Sequence, residues 1–228
     1  MRVVILGATT RLGARLSETL LAHGVTPVGL IRRVEHAPRL RSVGVEPVVL
    51  GADSSGVAEK VLDAMAGAGA VVLAAGTGLG SGPPAALSPA ALLALSAERA
   101  GVRRFVLVSA MLPSESDRAA LGEDLPAYLR EKERAELAVR ERDLDWCVLR
   151  PGELNDSPPT GRIRLCAGPD PRPDDPLGRA DMAMTIVEAL VAPEVVHNVL
   201  AVTSGTREIR AALAELSPCV SGSHLFSS

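Results

Sequence analysis

Arg2-Val3-Val4-Ile5-Leu6-Gly7-Ala8-Thr9-Thr10-Arg11-Leu12-Gly13 is the stretch whose reading decides the fold. Residues 2–6 are an apolar run rich in β-branched side chains, the mark of a buried strand. Beyond the glycines, Leu12, Leu16, Leu20 and Leu21 recur at helical spacing up to His23-Gly24, where a glycine ends the helix. Strand, glycine-bearing turn and helix, in that order, make the first unit of a dinucleotide-binding domain. The helix N-terminus there offers free backbone N–H groups and a positive dipole end to a pyrophosphate. A G-x-x-G-x-x-G turn would carry glycine at position 10, and this chain has Thr10. Its side chain narrows the approach to the phosphates, while its hydroxyl is a candidate donor to them. The bland alternative is an ordinary strand-to-helix turn that holds no ligand.

Outward from that turn, strands and helices alternate. Strands are expected over about 2–6, 26–31, 45–50, 70–75, 104–109, 145–150 and 197–203, and helices over about 11–23, 36–43, 56–66, 88–100, 125–142, 179–192 and 205–216. Nearly continuous apolar strands alternating with helices predict an α/β fold, a doubly wound parallel sheet of the Rossmann type covered on both faces. One domain over residues 1–216 and a poorly ordered tail over 217–228 are expected. Three segments break the rhythm at the C-terminal ends of strands, where open α/β sheets bind ligands: Gly76 to Ser88, Met111 to Asp124, and Pro151 to Gly178. The last is read as a substrate loop with a short strand at Arg162–Cys166; the alternative for all three is surface insertions without a role.

Composition narrows the class. The chain has 228 residues, 47% apolar and 22% charged, as a globular protein does, and only 2% aromatic, so its core rests on Val, Leu, Ile and Ala. A formal charge of −3 favours neither nucleic acid nor an anionic membrane surface. No secretory signal and no bilayer-spanning segment are read. Cys147, Cys166 and Cys219 are odd in number and lack metal-like spacing, which suits reduced thiols in a cytoplasm, with Cys147 in the core. The histidines at 23, 36, 197 and 224 are scattered, and no metal site is expected.

Arg32 and Arg33 close the second strand, where an acid would hold the ribose hydroxyls of NAD. Guanidinium groups suit a 2′-phosphate, with Arg11 as a third, which favours NADP(H) over NAD(H). The alternative is that they only solvate the strand end. Tyr128 and Lys132, four apart on a predicted helix, share one face that continues to Ala135 and Val139 toward the sheet. Glu131, Glu133, Arg134 and Glu136 read as a solvated face. A tyrosine ordinarily titrates near pH ~10 and gains as a proton donor from a cation one turn away. Tyr128 would then protonate a carbonyl oxygen as hydride arrives, with Lys132 orienting it. Such a pair also arises by chance in a helix rich in Lys and Glu. Ser109, after Phe105-Val106-Leu107-Val108, would hydrogen-bond a substrate carbonyl or the Tyr128 phenol, or merely cap its loop.

These residues together resemble the atypical short-chain dehydrogenases/reductases of the NmrA-like, NAD(P)H-binding type, relatives of the small biliverdin/flavin reductases. The carriers are Gly7-Ala8-Thr9 with Gly13, Leu30-Ile31-Arg32, Ala74-Ala75-Gly76, Gly101 to Ser109, Tyr128 to Lys132, Leu149-Arg150-Pro151-Gly152 and Arg179-Ala180-Asp181. The resemblance spans roughly residues 1–216. It implies cofactor contacts at Gly7, Thr9, Arg11, Leu12, Gly13, Arg32, Ala75 and Gly76, Lys132 at the nicotinamide ribose, and Pro151 beside the nicotinamide ring. The acid that would hold the adenine is displaced to Asp53, and Ala110 and Met111 stand where the family's catalytic serine often lies.

The leading expectation is an NADPH-dependent oxidoreductase acting on a small carbonyl, quinone or flavin-like substrate, with no nucleic-acid or membrane partner. The second is a non-catalytic NADP(H)-binding redox sensor with a protein partner. A third is a relative whose nucleotide site Thr10 has closed; an epimerase fits the scaffold, but no nucleotide-sugar pocket is read.

Overall fold

The computed structural model describes residues 1–51, 56–74, 88–111, 127–167 and 176–216. Its core grows from β1 (Arg2–Leu6), flanked in parallel by β2 (Thr26–Ile31) on one side and β4 (Ala68–Leu73) on the other. β3 (Glu46–Val49) extends the sheet beyond β2, while β5 (Arg104–Val108), β6 (Asp145–Pro151) and β10 (Asn198–Ser204) follow β4, all in parallel. β8 (Arg162–Ala167) pairs antiparallel with β10, and β11 (Arg207–Glu208) antiparallel with β8. The order across the nine described strands is β3-β2-β1-β4-β5-β6-β10-β8-β11. A separate two-stranded pair joins β7 (Leu154–Asn155) to β9 (Leu177–Gly178).

Side chains alternate across each strand, so a run apolar at every position needs cover on both faces. Val3 and Ile5 pack with Leu12, Leu16 and Leu20 of α1 (Arg11–Ala22), Leu40 of α2 (Ala37–Ser42), Met182 and Ile186 of α6 (Arg179–Ala189) and Leu213 of α7 (Ile209–Ala214). Val4 and Leu6 face the opposite layer: Val61 of α3 (Val57–Ala64), Leu93 of α4 (Pro89–Arg99) and Val139 of α5 (Ala127–Arg140). The chain thus winds outward from β1 in one direction with α1 and α2 on one face, then returns to β4 and winds the other way with α4 and α5 on the opposite face, before α6 and α7 close the first face again. This is the doubly wound Rossmann arrangement, and it puts a switch point between the C-terminal ends of β1 and β4.

The expected elements form, with shifted ends. The fourth strand starts at Ala68 and stops at Leu73, and the last helix starts only at Ile209, after β11. Within the stretch read as a loop from Pro151 to Gly178, the short strand expected at Arg162–Cys166 forms as β8, and there is further β-structure: Pro151 ends β6, and β7 and β9 also lie within it. Ile163 and Leu177, both fully buried, tie that stretch to the core. Asp53, Ala75, Gly76, most of the second loop and the tail lie outside the described residues. Among the described residues, no helix is long and apolar enough to cross a membrane.

Candidate functional site

The turn after β1 is built around two glycines. Gly7 has φ +110°, which L side chains rarely adopt. At Gly13 a Cβ would come within 2.0 Å of the Gly7 carbonyl oxygen, so the helix start lies directly on the strand end. Thr10 has an ordinary extended backbone, φ −76° and ψ 164°, and serves as the N-cap of α1. Its Oγ1 accepts the Gly13 N–H at 2.9 Å and donates to the Gly7 carbonyl at 2.8 Å. In this arrangement the Thr10 proton is held by Gly7, and donation from it to a phosphate, the expectation from sequence, requires that bond to break. Thr10 also takes the Ala14 N–H on its carbonyl. The first-turn N–H groups of Arg11 and Leu12 have no acceptor among the described residues, as helix geometry leaves them. Glycine cradle and open N–H groups fit the pyrophosphate of a nicotinamide nucleotide.

Arg32 is half-buried and Arg33 exposed just past β2. Among the described residues, neither guanidinium has a hydrogen bond or ion pair. Arg11 and Thr9 are exposed, Leu12 is buried, and Arg11 approaches Asp156 at 3.6 Å.

Farther along the same sheet edge, α5 lies against β5 and β6. Its buried residues are Leu129, Glu136 and Val139. Lys132 sits between them in sequence, and its Nζ donates to the carbonyl of Val108, the last residue of β5, at 2.9 Å. Burial pushes the Lys132 pKa below the ordinary lysine range, and Glu131 and Glu136 pull the other way. Tyr128, in the first turn, is 49% exposed. The expectation that its face points wholly at the sheet is corrected, because the buried face runs through Leu129 rather than Tyr128. No hydrogen bond joins Tyr128 to Lys132 or Ser109 among the described residues.

Glu136 corrects a second expectation. Read as solvated, it is 2% exposed. Its Oε1 accepts the Ser109 hydroxyl at 2.5 Å and Arg150 Nε at 3.0 Å, and its Oε2 accepts Arg150 Nη2 at 2.7 Å. This two-point ion pair joins α5 to β6 beneath the sheet edge. Its signal was in the sequence: Glu136 follows Lys132 by one helical turn and Tyr128 by two, on the stripe read as functional.

Pro151 is buried, and its carbonyl accepts the Met111 N–H at 3.3 Å, joining the exits of β5 and β6. Beyond it, Asp181 at the start of α6 accepts the N–H groups of Thr160 and Gly161 and the Thr160 hydroxyl at 2.8–3.0 Å. Asp156 bridges Arg179 at 2.9 Å and Arg11 at 3.6 Å. The 152–161 strand-and-turn is therefore anchored between α6 and the glycine turn. Sequence reading assigned no role to Arg150, Asp156 or Asp181; their partners lie far away in the chain. Cys147 is fully buried, and desolvation pushes its thiol up to about 12, which keeps it protonated and unreactive.

Known proteins share this fold. A family model described as NAD(P)H-binding matches residues 7–193. The Bacillus subtilis protein called an uncharacterized sugar epimerase, YhfK, is 28% identical over 221 residues, covering 95% of this chain and 100% of its own. The oxidoreductase YlbE of Lactococcus lactis superposes with a TM-score of 0.73 at 26% identity, covering 93% of this chain and 95% of its own. ChuY of Escherichia coli O157:H7, an anaerobillin reductase, does so with a TM-score of 0.71 at 26% identity, covering 90% and 97%.

Proposed function

This chain belongs to the NAD(P)H-binding family, and from that premise we propose that it is an NADPH-dependent oxidoreductase reducing a small carbonyl, quinone or flavin-like substrate. The observation that carries the reading is Lys132, a largely buried ammonium held at the end of β5 beside Ser109, on the sheet edge that also bears the glycine turn. The oxidoreductases YlbE and ChuY, similar over nearly their whole length, support it. The backbone of Gly7 to Gly13 would hold the pyrophosphate, and Arg32 and Arg33, with no partner among the described residues, the 2′-phosphate. Asp53, Ala75 and Gly76 are assigned to the same cofactor from the family resemblance. Bound there, the nicotinamide supplies the hydride. Lys132 orients the ribose hydroxyls and favours proton release from Tyr128 to the substrate oxygen. Pro151 flanks the ring, and the segment from 151 to 178 covers the substrate within a domain over residues 1–216.

NADPH consumption with a panel of small carbonyls and quinones tests the reading. Turnover that falls at least tenfold in Tyr128→Phe and Lys132→Met supports it; a wild-type chain that consumes no NADPH with any of them contradicts it. One observation favours a second reading, a non-catalytic NADP(H)-binding sensor of the NmrA-like type: Tyr128 is half exposed and, among the described residues, hydrogen-bonded to neither Lys132 nor Ser109. Cofactor binding without turnover, together with a protein partner captured only in the presence of NADPH or only of NADP, is what that reading predicts.

A further inference from the structure

Ser109 stands at the end of β5, and its hydroxyl has one proton to give. That proton goes to Oε1 of Glu136 at 2.5 Å. Both oxygens of Glu136 also accept from the Arg150 guanidinium, at 3.0 and 2.7 Å. A carboxyl group gripped on both oxygens by a fork of donors stands in the carboxylate arrangement, which accepts and does not donate. Toward Glu136, then, Ser109 donates, and lone pairs are what its oxygen retains for any other neighbour. The ion pair itself is an expensive way to hold a helix on a strand, since apolar residues of the same volume would do so without desolvating two charges. What apolar residues would not do is set the direction of the Ser109 proton.

We propose that Glu136, held by Arg150, is a positioning residue that fixes Ser109 as a hydrogen-bond acceptor, so that the ligand group meeting Ser109 is an O–H or N–H donor. Ser109 does not donate to the reacting carbonyl, a task left to Tyr128 and Lys132. The substrate class narrows accordingly, to carbonyl compounds that carry a hydroxyl or N–H group beside the carbonyl. This rests on the oxidoreductase reading for the presence of a substrate, but not for the orientation of the Ser109 proton.

Two measurements on the full chain test it. In proton NMR at neutral pH, a slowly exchanging downfield hydroxyl resonance is expected, absent in Ser109→Ala and displaced in Glu136→Gln. If no such resonance depends on Ser109, the assignment is overturned. Should Glu136→Gln fail to fold, Ser109→Ala decides alone, because it removes a hydroxyl and leaves the ion pair. In NADPH turnover, hydroxyacetone is compared with methoxyacetone, which lacks the donor. Wild type is expected to favour the hydroxy compound in kcat/KM by about tenfold, the usual weight of one hydrogen bond, and Ser109→Ala to lose that preference. An equal preference in both proteins overturns the inference. Turnover of neither compound by wild type counts against the oxidoreductase reading, and the resonance still decides the orientation of the proton.

Discussion

Gly13 has no room for a methyl group, because its Cβ would stand 2.0 Å from a backbone oxygen that is itself fixed by the strand. Gly13→Ala is therefore expected to cost about 1–3 kcal/mol in urea denaturation and to weaken NADPH binding at least tenfold, because the turn must open to admit it. Thr10 behaves differently. Its hydroxyl caps α1 and closes the turn, so Thr10→Ala should cost about 1 kcal/mol while NADPH affinity in a fluorescence titration stays within threefold. Abolished binding in Thr10→Ala would mean that the hydroxyl reaches the nucleotide after all. The two residues also show what can be read from sequence at this scale. The need for glycine at 7 and 13 follows from a local strand-turn-helix pattern. The direction of a threonine hydroxyl does not, because it is decided by how the turn closes around it.

Helix α5 bears the proposed proton-transfer pair and the largest departures from the sequence reading. Its buried ion pair should be unforgiving: Arg150→Met leaves Glu136 with the Ser109 hydroxyl and the electrostatic attraction of Lys132 but without its two-point guanidinium partner, and a loss of about 3–5 kcal/mol in urea denaturation is expected. A loss under 1 kcal/mol would show that water reaches Glu136. Lys132 gives the helix a pH signature. Burial lowers its pKa, so NADPH turnover should fall as pH rises through a value below the usual lysine range. In Lys132→Arg, whose charge does not titrate, that alkaline limb should vanish from the pH profile; a limb unchanged by the substitution would assign it to another group. The sign for stability is opposite. Between the lowered folded value and the unfolded value near ~10.4, the unfolded chain binds more protons, so this lysine's burial costs less as pH rises. Helical spacing placed Tyr128 and Lys132 on one stripe, but it did not locate the buried centre of that stripe, which lies between Leu129 and Val139. Glu136 was misjudged for a related reason. A charged residue is expected in water unless its partner is known, and Arg150 comes from another strand.

Across the whole molecule, the seven parallel strands and their helices could be read from sequence because most are short apolar runs whose burial on two faces leaves few arrangements; β3, with the exposed Glu46, is the partly covered edge. The two-residue strands β7, β9 and β11 could not, since so short a pairing is fixed by what surrounds it and not by its own composition. The same holds for the anchoring of the 152–161 segment through Asp181 and Asp156, which ties that segment to the glycine turn. The winding brings the turn, the Arg32-Arg33 pair and the end of β5 to one edge, and the central claim is that a nicotinamide nucleotide lies along it with its 2′-phosphate on those arginines. Calorimetric titration of the wild-type chain and of Arg32→Ala/Arg33→Ala with NADPH and with NADH tests this most directly. The expected result is NADPH binding at least about tenfold tighter than NADH in wild type, from charge-assisted hydrogen bonds, with the preference lost in the double variant. Equal affinities in wild type, or a preference that survives removal of both arginines, would contradict it.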